Sequence, residues 1–349
     1  MTKEEDKGAD IEKMISEIKK LMPGIDSSNG LIAQSDCVIF RKDGTWAFND
    51  SVAVRSEFTL GFDGAIPAQK LMSLLNRFKG KEEVVTEIKG NEYHLSRQDY
   101  RKDGRKAGIR KGSIKFQPEH NFMKYDIAMP TRWRPLPEDF CDAVLATSKV
   151  TGREEHKFTL TCIHITPDFV EACDNTQLIR WKTQTGFRTD VLIPNRVAMS
   201  IMKHKVVEAG LTKGWVHFRD KDGITYSART HDDKYPDMDP FYDVKGDRIT
   251  FPEKLSNLAQ EVSSISSGGR DADVLMKLSE DTLVMESHSL EMSLSDTLPI
   301  NYKGEPISFY IHPQICVYLS ENARRTIVNA TRMKVWTTEF QYVAVLQSA

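Results

Sequence analysis

One order of elements recurs three times along this chain, and that recurrence limits the fold more than any single motif. Each copy reads as an amphipathic helix, a set of strands interrupted by a short polar break, a proline turn into a second helix, and a closing hairpin. The break reads Asp50-Ser51-Val52-Ala53-Val54, then Asp174-Asn175-Thr176-Gln177-Leu178, then Glu286-Ser287-His288-Ser289-Leu290. The turn reads Ile66-Pro67, Ile193-Pro194 and His312-Pro313. Proline suits the first helical position, where an N–H has no intrahelical acceptor. Helices on one face of antiparallel sheets make an α+β layer. Three such units in a row expose sheet edges that need cover, and closing the array into a ring leaves none free.

The middle copy is the clearest. Apolar and polar residues alternate from Phe158 through Leu160, Cys162 and Ile163 to Ile165, which predicts a half-buried strand. Thr166-Pro167-Asp168 is a turn. Phe169–Cys173 resumes the strand, Asp174-Asn175 breaks it, and Leu178–Thr183 and Asp190–Ile193 carry further strands. Val197, Met199, Ile201 and Met202 give the helix after Pro194 an apolar side. In the first copy Ile11, Met14, Ile15, Ile18 and Leu21 share one helical face, and Lys42-Asp43-Gly44 is a tight hairpin turn. The basic stretch from Gln98 to Lys115 reads as a long loop or a distorted hairpin. A further hairpin turns at Asp222-Gly223, and HDDKYPDMDPFYDV is a polar, proline-rich linker. The third copy restarts at Ile249, with Leu255, Leu258 and Val262 on one helical face.

Composition narrows the function classes. The chain has 349 residues, so two or three domains are expected, and the repeat divides it at 1–130, 131–240 and 241–349. Apolar residues make up 40% and charged residues 28%, ordinary for a globular protein. No uncharged apolar run is long enough to span a bilayer, and the acidic Met1–Asp10 segment reads as a frayed leader, not a signal peptide. Five cysteines in no metal-ligand spacing fit a reducing, cytoplasmic setting. His231-Asp232-Asp233, with Asp237 and Asp239, matches no cation loop and lies in the linker. Nucleophile elbows, zinc-protease pairs and phosphate or dinucleotide loops are lacking. No enzyme activity, cofactor or metal is therefore expected. The net charge of −2 means that any contact with nucleic acid must use local positive charge.

At this point the residues resemble a known family. FTLTCIHITPDFVEACDNTQLIRW followed by VLIPNRVAMSIM is similar to the second domain of the bacterial-type DNA sliding clamp, the beta subunit of the replicative DNA polymerase. GITYSARTHDDKYPDMD resembles that family's strand leading into a Phe-Pro-Asp-Tyr linker. The likeness runs from Ile11 to Gln347, carried by order and spacing and not by one motif, as in a distant bacterial or viral member. It implies three clamp domains per chain, each with two helices on antiparallel sheets, and a head-to-tail homodimer closing a ring. About twelve inner helices at ~10 Å spacing give a circumference of ~120 Å and a hole of ~28 Å, enough for duplex DNA.

The same resemblance implies roles for particular residues. The helices that would line the hole carry Lys19, Lys20, Lys70, Arg77, Lys79, Lys149, Arg196, Lys203, Lys205, Arg324 and Arg325, a diffuse positive lining that faces phosphates without reading sequence. Singly, each is an ordinary solvated helix residue. A partner cleft beside the second break would include Leu160, Asn175, Thr176, Gln177 and Leu178, with Val343, Val345 and Leu346 from the closing strand. It would take a short extended peptide from the polymerase or clamp loader. The competing assignment makes Leu160 and Leu178 plain core and the closing residues a plain edge strand. For the whole chain the alternative is a repeat-built assembly ring that holds no DNA.

Overall fold

The structure is a computed structural model that describes residues 9–26, 32–80, 83–101, 104–118, 127–152, 155–265, 273–311, 313, 316, 325–329 and 331–346. In chain order its main elements begin with α1 (Ile11–Leu21), β1 (Cys37–Arg41), β2 (Gly44–Phe48), β3 (Val52–Ser56), β4 (Gly64–Pro67) and α2 (Ala68–Asn76). They continue with β5 (Val84–Lys89), β6 (Glu92–Tyr100), β7 (Lys106–Lys115), β8 (Arg134–Pro135) and α3 (Phe140–Thr147). Next come β9 (Cys162–Ile165), β10 (Phe169–Cys173), β11 (Gln177–Lys182), β12 (Val191–Pro194) and α4 (Asn195–Met202). Then follow β13 (Glu208–Thr212), β14 (Trp215–Arg219), β15 (Thr225–Arg229), β16 (Asp247–Ile249) and α5 (Leu255–Ser263). The last strands are β17 (Val274–Ser279), β18 (Thr282–His288), β19 (Ser293–Pro299), β20 (Ile307–Ile311), β21 (Arg325–Val328), β22 (Arg332–Trp336) and β23 (Phe340–Val345).

The chain forms two compact units. Unit 1 comprises Met1–Leu136 and Arg196–His231, and unit 2 comprises Pro137–Asn195 and Asp232–Ala349. Unit 1 holds an eight-stranded antiparallel sheet in the order β4-β1-β2-β3-β15-β14-β13-β8 and a three-stranded sheet β5-β6-β7. Unit 2 holds an eight-stranded sheet in the order β12-β9-β10-β11-β23-β22-β21-β16 and a four-stranded sheet β19-β18-β17-β20. The two large sheets are the same sheet built twice. Their registers agree residue by residue: Ile39↔Trp46 and Trp46↔Arg55 in one, His164↔Glu171 and Glu171↔Arg180 in the other. The four-stranded sheet repeats the β4-β1-β2-β3 half, and the three-stranded sheet repeats the β13-β14-β15 half.

Local causes are visible in each element. Asp10 caps α1 by accepting the Lys13 N–H at 2.9 Å, and the five apolar residues of its expected face are all buried. Ile18 and Leu21 are fully buried, each worth about 2 kcal/mol over exposure. Pro23 lies in the 3-10 turn Met22–Gly24 that follows the helix. In β17 and β18 buried and half-buried residues alternate strictly, the period-two pattern of strands with one face on the core. α3 is tied to its sheet by Asp139, whose carboxylate accepts the Trp181 indole N–H at 3.0 Å and the Thr183 hydroxyl at 2.8 Å.

Several expectations need correction. Phe158–Thr161 is the end of a 3-10 turn and not a strand, so β9 starts at Cys162. The Gly152 N–H bonds the Leu160 carbonyl at 2.7 Å and so holds that segment folded back on itself. Glu286 and Ser287 lie inside β18, and the third break falls at residues 289–292, because the β18–β19 ladder carries pairing on to His288. The basic stretch 98–115 is a hairpin distorted by a bulge at Asp99/Tyr100. His312 and most of the helix expected after Pro313 lie outside the described residues.

Candidate functional site

Lys19 and Lys20 occupy the last turn of α1, where positive charge complements the helix dipole. Lys19 is exposed. Lys20 reaches Glu17 at 3.1 Å and Asp222 at 3.0 Å. Burial works to lower its pKa, but the bonds to those carboxylates outweigh that and hold it above the ordinary lysine value. Lys70 lies exposed on α2, with Arg77 and Lys79 exposed just past it. Lys149 is exposed in the 3-10 turn after α3. Arg196 is exposed on α4 and lines a cleft of about 290 Å³ in unit 1 with Met22, Asn49 and Ser200. Lys203 and Lys205 are exposed at the end of α4, Lys205 at φ 52°. Arg325 is not helical: it opens β21 opposite Trp336, held there by the pairing of β21 with β22. Arg324 lies outside the described residues.

The eight partner-site residues belong to unit 2, and β11 and β23 bring them together. Leu178 faces Val343 and Gln177 faces Ala344 across the ladder. The Val345 N–H donates to the Thr176 carbonyl at 2.6 Å, and the Tyr342 hydroxyl donates to Gln177 Oε1 at 2.7 Å. Asp174 fixes the break by accepting the N–H groups of Thr176 and Gln177, both at 2.6 Å. Asn175 is exposed and accepts a bond from Lys157 at 2.7 Å. Leu178 and Val343 join Cys162, Cys173 and Leu192 in one apolar cluster, with Leu160 packed at its edge. Val345 is exposed, and Leu346 is buried, its N–H bonded to the Thr331 carbonyl at 2.8 Å.

Sequence reading missed what covers this cluster. Tyr235, Met238, Tyr242 and Val244, from the segment read as a polar linker, are buried against it. Their spacing among prolines and aspartates was the available signal. The Tyr235 hydroxyl donates to Cys173 Sγ at 3.2 Å. Burial pushes the Cys162 and Cys173 thiols up to about 11, so neither is a ready nucleophile. The Tyr242 hydroxyl is buried with no acceptor among the described residues, and burial drives its pKa upward. Beside the cluster runs a chain of charges. His164 Nδ1 lies 2.8 Å from Glu171, and Nε2 lies 3.2 Å from Asp190. Glu171 takes Arg180 Nε at 2.9 Å and Nη2 at 2.8 Å, and Asp239 takes Nη1 at 2.7 Å.

No group of three or more metal-ligating side chains forms among the described residues.

No protein-family model matches this sequence, and no curated protein matches it. Solved structures do. The DNA polymerase III subunit beta from Pseudomonas aeruginosa matches with a TM-score of 0.75 at 12% identity, covering 97% of this chain and 98% of that one. The DNA polymerase III beta chain of Streptococcus pneumoniae TIGR4 gives 0.74 at 14% identity, covering 97% and 98%. A DnaN sliding clamp from Bartonella birtlesii bound to griselimycin gives 0.77 at 14% identity, covering 98% of each.

Proposed function

We propose that this chain, which has the fold of the bacterial DNA polymerase III beta clamps, is a non-enzymatic processivity factor that encircles duplex DNA and tethers a polymerase to it. One observation in the structure carries the reading. Each large sheet is two half-sheets joined edge to edge, β3 to β15 in unit 1 and β11 to β23 in unit 2. The chain also has one half-sheet of each kind left over, and their corresponding edges, β19 and β7, pair with no other strand among the described residues. A β7 edge from one copy joined to the β19 edge of another repeats the joint already made twice within the chain. Two such joints close a ring of two chains and six clamp domains, divided in each chain at 1–130, 131–240 and 241–349. Charge supports the match: β7 carries Lys106, Arg110, Lys111 and Lys115, while β18, β19 and the break between them carry Glu286, Glu291 and Asp296.

In this reading the lysines and arginines of the helices face phosphate weakly, and enclosure supplies the residence time. The partner's peptide seats at Leu160, Asn175–Leu178 and the Val343–Leu346 strand. Tethering then works through effective concentration. The deciding measurement is solution mass with DNA retention. A species of twice 39.7 kDa that stays on nicked circular DNA and runs off linear DNA is expected. A chain that is monomeric at all concentrations, or equal retention on both DNAs, defeats the reading.

A further inference from the structure

Both large sheets place an arginine at the same point of the register. Arg55 on β3 stands opposite Trp46 and Thr225, and Arg180 on β11 stands opposite Glu171 and Gln341. Their surroundings differ in charge. Arg180 is closed off by its own chain: Glu171 and Asp239 hold its nitrogens, and its guanidinium lies 4.0 Å from the Phe169 ring centre and 4.7 Å from that of Tyr242. At Arg55 the neighbouring strand offers Trp46, 5.4 Å away, in place of a carboxylate. Among the described residues, the Nη2 group of Arg55 reaches the Asp43 carbonyl, at 3.4 Å, and its buried Nε has no acceptor. Leaving such a donor unmatched is costly, and more so on a charged group.

A second arginine stands beside it. Arg219 on β14 faces Thr225 from the other side, stacks 3.7 Å from the centre of the Trp133 ring, and gives Nη1 to Glu208 at 3.3 Å. Arg55, Arg219, Thr225 and Gly223 line a cleft of about 210 Å³ with the exposed Glu57. Two guanidinium groups backed by indole rings line one small opening; Arg219 is paired with Glu208, whereas no carboxylate among the described residues bonds Arg55.

We propose that this cleft binds a carboxylate side chain from an acidic, aromatic-bearing peptide segment of a partner protein. The ligand does for Arg55 what Glu171 and Asp239 do for Arg180, with Arg219 as a second positive neighbour. The planar fork of arginine favours a carboxylate in this role. The chain supplies its own template in Asp239-Pro240-Phe241-Tyr242, where an acid is followed three residues later by a ring, both on Arg180. Glu57 opposes any anion at the cleft, so the ligand must bring contact as well as charge.

The site is tested by calorimetric titration of the full chain with the octapeptide Asp-Met-Asp-Pro-Phe-Tyr-Asp-Val, which copies residues 237–244, in low salt. Saturable one-to-one binding is expected, weakened about tenfold or more by Arg55→Gln and by Arg219→Gln and strengthened by Glu57→Gln. Because Arg55→Gln can disturb the sheet, the wild-type chain is also titrated with the peptide whose second aspartate is replaced by asparagine, and about tenfold weaker binding is expected. Equal affinity for the two peptides, no heat up to about millimolar peptide, binding untouched by both arginine substitutions, or displacement of the peptide by a short DNA duplex would each overturn the proposal. None of these outcomes depends on ring formation, so the site stands or falls apart from the clamp reading.

Discussion

Glu171 is nearly inaccessible, and it keeps its place because Arg180 and His164 both bond to it. Breaking a buried ion pair costs more than the pair's net worth, since the remaining charge is stranded. Glu171→Gln should therefore destabilise unit 2 by about 3 kcal/mol, read from urea unfolding; a loss below about 1 kcal/mol would mean that Asp239 alone compensates Arg180. His217 behaves differently. It is wholly buried between the Thr212 and Ser227 hydroxyls, each 2.7 Å from a ring nitrogen, and burial lowers its pKa to about 4. Its folded pKa lies below its unfolded value of 6.5, so the unfolded chain takes up a proton that the folded chain refuses. The stability is full above pH 6.5 and is lost as pH falls toward 4, to a total of about 3 kcal/mol. Subtracting the unfolding profile of His217→Asn from that of the wild type should leave this slope, and parallel profiles would refute it.

The hairpins depend on backbone freedom at few places. Gly44 closes the β1–β2 turn at φ 134°, and a Cβ there would meet the Ser56 carbonyl oxygen of β3. Gly44→Ala should cost about 2 kcal/mol or more through strain and a pushed strand, visible as a lowered thermal midpoint. At the β11–β23 joint Val345 is exposed while Leu178 and Val343 are buried, so Val345 can be changed without opening the core. Val345→Asp is expected to leave the melting curve unchanged and to weaken binding of a polymerase-derived peptide by about tenfold. Unchanged peptide affinity would move the partner site elsewhere.

At the scale of the whole molecule, the function proposed above has a chain of net charge −2 stay on DNA through local charge and enclosure together. Lys203 and Lys205 are exposed, and each contact with phosphate contributes about 0.9 to the log–log slope of binding against salt. Reversing both to glutamate should lower that slope by about two for DNA association while retention on circular DNA at low salt persists. An unchanged slope would remove these lysines from the lining.

The repeat, the α+β class and the antiparallel pairing are legible in the chain alone, because helix faces, turn residues and strand alternation are local properties. The face of α1, the Pro67 and Pro194 helix starts and the Asp174 break can all be read from neighbours a few residues apart. Tertiary structure alone decided the rest. Trp46 and Glu171 share a position whose meaning appears only when β3 and β11 bring an arginine beside each. Arg325 joins a strand because β22 pairs with it, and the aromatic residues of the 235–244 segment count as core because β11 and β23 present an apolar surface beneath them. Burial and charge pairing arise from residues distant in sequence, and no local pattern carries them.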